Sequence, residues 1–207
     1  MSASNRTGVR RQPDRGHYDR DTIDAILDEA LHCHLGFVVD GQPYVVPTLH
    51  ARAGDLLYVH GSSASRMLRH AATGAPMCAT VTLLDGLVLA KSVFNHSMNY
   101  RSVVVLGEAT QLPDDRKTEA LRIFTERVAP GRWAEARQPT ATELKATTIL
   151  TLPLTEASAK VRSGPPEDEL EDVDLPVWSG VVPIHLAVEE SEYQWRRVRG
   201  GRLGPPS

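Results

Sequence analysis

The sequence predicts a mainly β fold, an antiparallel barrel with a few helices packed outside it, and three observations carry that expectation. About seven short apolar runs rich in β-branched and aromatic residues recur along the chain, bounded by turn residues. Two Asp-Gly dipeptides, Asp40-Gly41 and Asp85-Gly86, stand between such runs as tight-turn signals. Helical periodicity is confined to a few stretches and does not alternate strictly with the strands, which favours a closed antiparallel barrel over a doubly wound sheet.

The elements follow in order. Residues 1–18 are polar, arginine-rich and without periodicity, and predict a mobile tail. Asp21 is read as an N-cap, after which Ile23, Ile26, Leu27, Ala30 and Leu31 share one helical face. Strands are predicted over 36–40 and 43–52, then from the Ala53-Gly54-Asp55 turn to His60. A short helix carries Met67, Leu68, Ala71 and Ala72 until Gly74. Strands over 78–84 and 87–91, joined at Asp85-Gly86, precede a long strand over 100–110 whose Val103-Val104-Val105 run predicts burial on both faces. After Pro113, Ala120, Leu121, Phe124 and Val128 align on a helix that Pro130-Gly131 stops. Thr140-Ala141-Thr142-Glu143 has the capping-box pattern, and a strand follows over 147–154. Residues 164–174 read as a solvated acidic loop, 177–184 as a last apolar run, and 188–207 as a charged tail. The domain is therefore expected over 19–187.

The 207 residues suffice for one domain with a real core. A formal charge of −3 supplies no field towards nucleic acid or acidic lipid, and neither partner is expected. Cys33 and Cys78 lie in apolar contexts without C-x-x-C spacing, which points to thiols in a reducing compartment. No stretch has the length and apolarity of a membrane span, and no signal-peptide core is present, so a cytoplasmic location is expected.

The chemistry concentrates where the strand Leu56-Leu57-Tyr58-Val59-His60 breaks at Gly61 into Ser62-Ser63-Ala64-Ser65-Arg66. Hydroxyls, a helix start and the planar guanidinium of Arg66 suit phosphate oxygens, although serine caps and solvated arginines explain the same residues. His32-Cys33-His34 has donors suited to zinc, but its place at the predicted end of the first helix favours a packing and dipole role, and no metal is expected. His96-Ser97-Met98-Asn99-Tyr100-Arg101 reads equally as a cleft lining or as a polar loop, and His50 as facing either a ligand or solvent. No serine hydrolase order or carboxylate pair stands out.

In their order along the chain, Val46-Pro47-Thr48-Leu49, Tyr58-Val59-His60-Gly61, Ser65-Arg66, Asn99-Tyr100-Arg101-Ser102-Val103 and residues 126–132 resemble the FMN-binding split β-barrel family typified by pyridoxamine 5′-phosphate oxidase. The resemblance runs from about residue 20 to 185 and is strongest to the flavin-nucleotide-binding, nitroimidazole-reductase-like branch. It implies an antiparallel, Greek-key type split barrel and a homodimer with FMN between the subunits. Pro47, Thr48 and Leu49, with His50 on the same strand, would run along the isoalloxazine edge. His60, Gly61 and Ser62 would lie by the ribityl chain or phosphate, and Ser65 and Arg66 would hold the phosphate. Lys91, Ser92, Asn99 and Arg101 would add polar contacts. The charged strand and the C-terminal Arg-x-His of the vitamin B6 oxidases are absent, since residues 195–199 read Trp-Arg-Arg-Val-Arg. An FMN-dependent oxidoreductase or flavin reductase is thus expected, with no side chain as an obligatory catalytic base. The alternatives are a non-catalytic flavin or haem binder, with His50, His60 or His96 as axial ligand, and a deazaflavin-dependent reductase.

Overall fold

The computed structural model describes residues 4–187, 196–197 and 203–204. Its strands are β1 (Gly16–His17), β2 (His32–Val39), β3 (Gln42–Ala53), β4 (Leu56–Ser62), β5 (Pro76–Leu89), β6 (Ser97–Glu108), β7 (Thr110–Gln111), β8 (Thr147–Pro153), β9 (Ala157–Arg162) and β10 (Gly180–Pro183). The helices are α1 (Arg20–Glu29), α2 (Arg66–Ala71), α3 (Lys117–Val128), α4 (Arg132–Glu135) and α5 (Ala141–Ala146). A further pair, Arg196–Arg197 with Leu203–Gly204, belongs to the charged tail, the rest of which lies outside the described residues.

All described strand pairs are antiparallel, and the sheet runs β1-β9-β6-β5-β2-β3-β4-β8-β7 with β10 added to β5. The path has two ends, so the barrel is split, not closed as the strand count had suggested. The split falls at β3. Its first part pairs with β2 up to His32↔Leu49, and from His50↔Val59 onward it pairs with β4 instead. Beyond that hand-over β4 continues with β8 to Ser62↔Thr147.

Strand alternation fills the interior. Cys33, Leu35 and Phe37 of β2, Leu57 and Val59 of β4, and Val103 and Val105 of β6 point into one cluster. Helix α1 seals it with Ile23, Ile26 and Leu27, and α2 with Met67, Leu68 and Ala71. On the other side of β3, β4 and β8, a second cluster joins Ala51 and Ile149 to Ala120 and Phe124 of α3. Burial pushes the Cys33 thiol up to about 12, which leaves it inert at neutral pH.

Several local expectations need correction. The α1 cap is Asp19, whose side chain accepts from the Thr22 N–H at 2.8 Å; Asp21 sits in the first turn. Asp85-Gly86 makes no turn, because β5 runs unbroken past it with a bulge between Leu84 and Gly86. Glycine is required there by proximity: a Cβ on Gly86 would lie 2.9 Å from Val181 Cγ1 on β10. His32-Cys33-His34 begins strand β2, not the end of a helix, so its two imidazoles share a face. Val103 and Val105 are buried within the chain, and Val104, on the other face of β6, lines a pocket with residues 6–11 of the N-terminal segment. That segment, read as a tail, lies along the sheet: Ser4 and Arg6 bind Glu156, and Gly16–His17 pair with β9.

Candidate functional site

The hand-over at His50 creates a notch, because β4 no longer covers the edge of β3 that carries Tyr44 to Leu49. An uncovered edge leaves backbone groups free to meet a ligand, and Pro43 and Pro47 remove two donors that would invite another strand. Ser62–Arg66 lead from β4 into α2, and Arg66 reaches across to β3, with its guanidinium carbon 4.4 Å from the centre of the Tyr44 ring. Tyr44 in turn stacks on Phe37 at 5.5 Å. The structure therefore brings the Arg66 end of the expected seat against the strand that carries Pro47, Thr48 and Leu49.

The seat is chemically open. Arg66 is exposed and pairs with no carboxylate among the described residues, unlike Arg52 with Asp28 or Arg101 with Glu29 and Asp85. Ser65 Oγ accepts from Leu68 N–H and Ser62 Oγ from Ala64 N–H, which leaves each hydroxyl hydrogen free to donate. Gly61 serves packing: a Cβ there would stand 3.1 Å from Leu68 Cδ1, so its absence lets α2 close on β4.

The remaining predicted residues are engaged elsewhere. His50 is buried, and its Nε2 lies 2.9 Å from the Leu27 carbonyl. A carbonyl only accepts, so Nε2 carries the proton. Burial lowers its pKa, opposed in part by that bond, and the ring stays neutral while tying β3 to the end of α1. His60 faces away from α2, with its ring 4.3 Å from that of Phe124, and burial lowers its pKa also. Lys91 N–H donates to Asp168 Oδ1, and Lys91 Nζ holds the carbonyls of Val173 and Leu175, which pins the acidic loop. Ser92 Oγ accepts from Phe94 N–H at 3.3 Å. Asn99 donates to the Gly164 carbonyl and accepts from the buried Arg162. Arg101 spans Glu29 and Asp85, which raise its already high pKa, and it clamps α1 to the β5 bulge. Lys91, Asn99 and Arg101 thus each hold separate partners within the fold.

Sequence reasoning missed Tyr44, which underlies Arg66, and the shared face of His32 and His34. The second was legible: His-Cys-His-Leu-Gly-Phe alternates with a period of two, and the burial follows it. Among the described residues no group of three or more His, Cys, Asp or Glu could hold a metal ion, and no helix is long and apolar enough to cross a membrane.

Known proteins can be compared with this geometry. Residues 19–161 match the family described as pyridoxamine 5′-phosphate oxidase. The flavocytochrome Anf3 from Azotobacter vinelandii is 41% identical over 99% of this chain and 96% of its own, with a TM-score of 0.90. The FAD and haem binding protein from Mycobacterium smegmatis is 37% identical over 92% of this chain and 94% of its own, with a TM-score of 0.81. A candidate 5-nitroimidazole antibiotic resistance protein from Bacteroides thetaiotaomicron is 22% identical over 70% of this chain and 86% of its own; its TM-score of 0.58 is a likeness of fold. No curated protein matches the chain.

Proposed function

The chain belongs to the pyridoxamine 5′-phosphate oxidase family, and on that premise we propose that it is an electron-transfer flavoprotein, an oxidoreductase, whose flavin nucleotide sits in the notch of β3 with its phosphate at Ser65 and Arg66. One observation carries the reading: Arg66 is an exposed guanidinium without a carboxylate partner among the described residues, held beside β3 by Tyr44. A planar fork of donors fits a phosphate, and the Ser62 and Ser65 hydroxyls add donors beside it. The uncovered edge of β3 around Thr48 and Leu49 would orient the isoalloxazine through backbone groups. When bound, the flavin supplies hydride or single-electron transfer, and the protein's part is to bind, orient and shield it.

FMN is the smallest nucleotide the seat explains. FAD is the second reading, favoured by the exposure of Ser62, Ser63, Ala64 and Arg66, which leaves room for a diphosphate to continue outward, and by the FAD-binding relative from Mycobacterium smegmatis. The two most alike solved chains named above also support a haem beside the flavin, as in a flavocytochrome. A homodimer accounts for the exposed apolar residues Val38, Val45 and Leu49 on the outer face of β2 and β3, which a second copy would cover.

Calorimetry with FMN, FAD and riboflavin tests the seat. Either nucleotide binding at least tenfold more tightly than riboflavin supports it, and equal affinity for all three overturns it.

A further inference from the structure

We propose that the pocket beneath the N-terminal segment binds a small phosphate-bearing anion, at a site separate from the flavin notch. Its volume of about 300 Å³ is at the lower end for small-molecule sites.

Strand register builds the floor of this pocket. Ser102 of β6 lies opposite Lys160 of β9, and Val104 opposite Ser158. Val103, Val105, Ala157 and Ala159 point into the core, so the four alternating residues present their side chains on the outer face. Residues 6–11 form the roof. Ser4 and Arg6 fasten it to Glu156, the Val9 N–H donates to the Tyr18 hydroxyl at 2.9 Å, and Lys160 Nζ donates to the Arg11 carbonyl at 3.2 Å. Within 6–11 only Thr7 is buried, so covering apolar surface does not explain why this stretch lies on the sheet.

Two observations call for an anion. The first is charge. Arg10, Arg11 and Lys160 line the pocket without a carboxylate partner among the described residues, and no Asp or Glu lines it. Arg6 is already neutralised by Glu156. Three like charges around one space repel one another, and a bound anion offsets that repulsion. The second is Ser158, which is only 7% exposed although its hydroxyl has no hydrogen-bond partner among the described residues. Buried hydroxyls are ordinarily paired, and this one opens into the cationic pocket.

Donors meet a ligand from two sides, with Ser158 and Lys160 on the floor and Arg10 and Arg11 in the roof. That arrangement suits the terminal oxygens of a tetrahedral phosphate group better than a flat carboxylate. In the sheet, β5 and β2 stand between β6 and β3, and none of residues 62–66 lines the pocket. A flavin phosphate held at Arg66 therefore does not account for it.

The test is calorimetry of the full chain with pyrophosphate, and with malonate as the carboxylate control. The wild type should bind pyrophosphate saturably and about tenfold or more tightly than malonate. Bound pyrophosphate should also raise the melting temperature and the amide protection of residues 6–11. S158A and R10A/R11A should each weaken binding by about tenfold or more, with far-UV circular dichroism unchanged. R66A, which alters only the flavin seat, should bind pyrophosphate in this pocket as the wild type does. Absence of saturable binding in the wild type, or malonate bound as tightly as pyrophosphate, overturns the proposal. Wild-type affinity in both pocket variants, or loss of binding in R66A alone, overturns it too.

Discussion

Replacing Arg66 by alanine removes the group on which the phosphate seat depends. The guanidinium makes no ion pair among the described residues, and it rests on the face of Tyr44 at 4.4 Å. Loss of an exposed cation–π contact costs about 0.5–1 kcal/mol. For a domain of this size that lowers the melting temperature by roughly 1–4 °C, so the variant stays folded. Loss of a hydrogen bond to a charged group costs about 1.5–3 kcal/mol. At about 1.4 kcal/mol per tenfold, FMN or FAD should bind roughly 10- to 150-fold more weakly. Riboflavin, which lacks the phosphate, should bind as it does to the wild type. Calorimetry of both proteins with nucleotide and with riboflavin measures the difference directly. Parallel loss of both ligands, or a melting temperature lowered far beyond this range, would refute the reasoning and make Arg66 structural.

Four further outcomes follow from the structure. Gly86→Ala drives a Cβ to 2.9 Å from Val181 Cγ1 and 3.0 Å from Val182 O; overpacking of about 1–3 kcal/mol should appear in chemical denaturation, with β10 the first strand to lose amide protection. Leu57→Ala empties a fully buried position between the halves of the split sheet and should cost about 2–5 kcal/mol in the same assay, whereas Leu49→Ala on the outer face should cost far less. Thr140→Ala breaks the capping box of α5, in which Thr140 Oγ1 and the Glu143 carboxylate each accept a backbone N–H, and should cost about 0.5–2 kcal/mol. His50 and His60 are kept neutral by burial, with pKa values below the ordinary 6.5. The unfolded chain takes up protons first as pH falls, so their contribution is full above about 6.5 and declines below it; urea midpoints measured from pH 8 to pH 5 should fall in that direction.

What the sequence made legible was what local chemistry decides. Asp40 and Gly41 both have positive φ, at 50° and 78°, as a two-residue hairpin turn demands, and Thr140 with Glu143 forms the reciprocal cap their spacing announces. The same dipeptide misled at Asp85-Gly86, because there glycine answers to the approach of β10 from almost a hundred residues downstream, and no local pattern carries that information. The open sheet was hidden for a similar reason, since strand count does not say where β3 changes partner. Within the candidate site, the helix start at Ser65 and Arg66 was legible because helix starts have a local grammar, and Ser65 does cap α2. The partners of Asn99, Arg101 and Lys91 within the chain, Gly164, Arg162, Glu29, Asp85, Asp168, Val173 and Leu175, were not legible, because the fold brings them from distant positions.

Whether this chain holds a flavin nucleotide and passes electrons through it is tested most directly by the visible spectrum of protein purified without added cofactor. Protein so purified should show the absorbance of a flavin that heat denaturation releases as FMN or FAD, and that bleaches under anaerobic NADH or NADPH. A colourless protein that takes up neither nucleotide on reconstitution would contradict it.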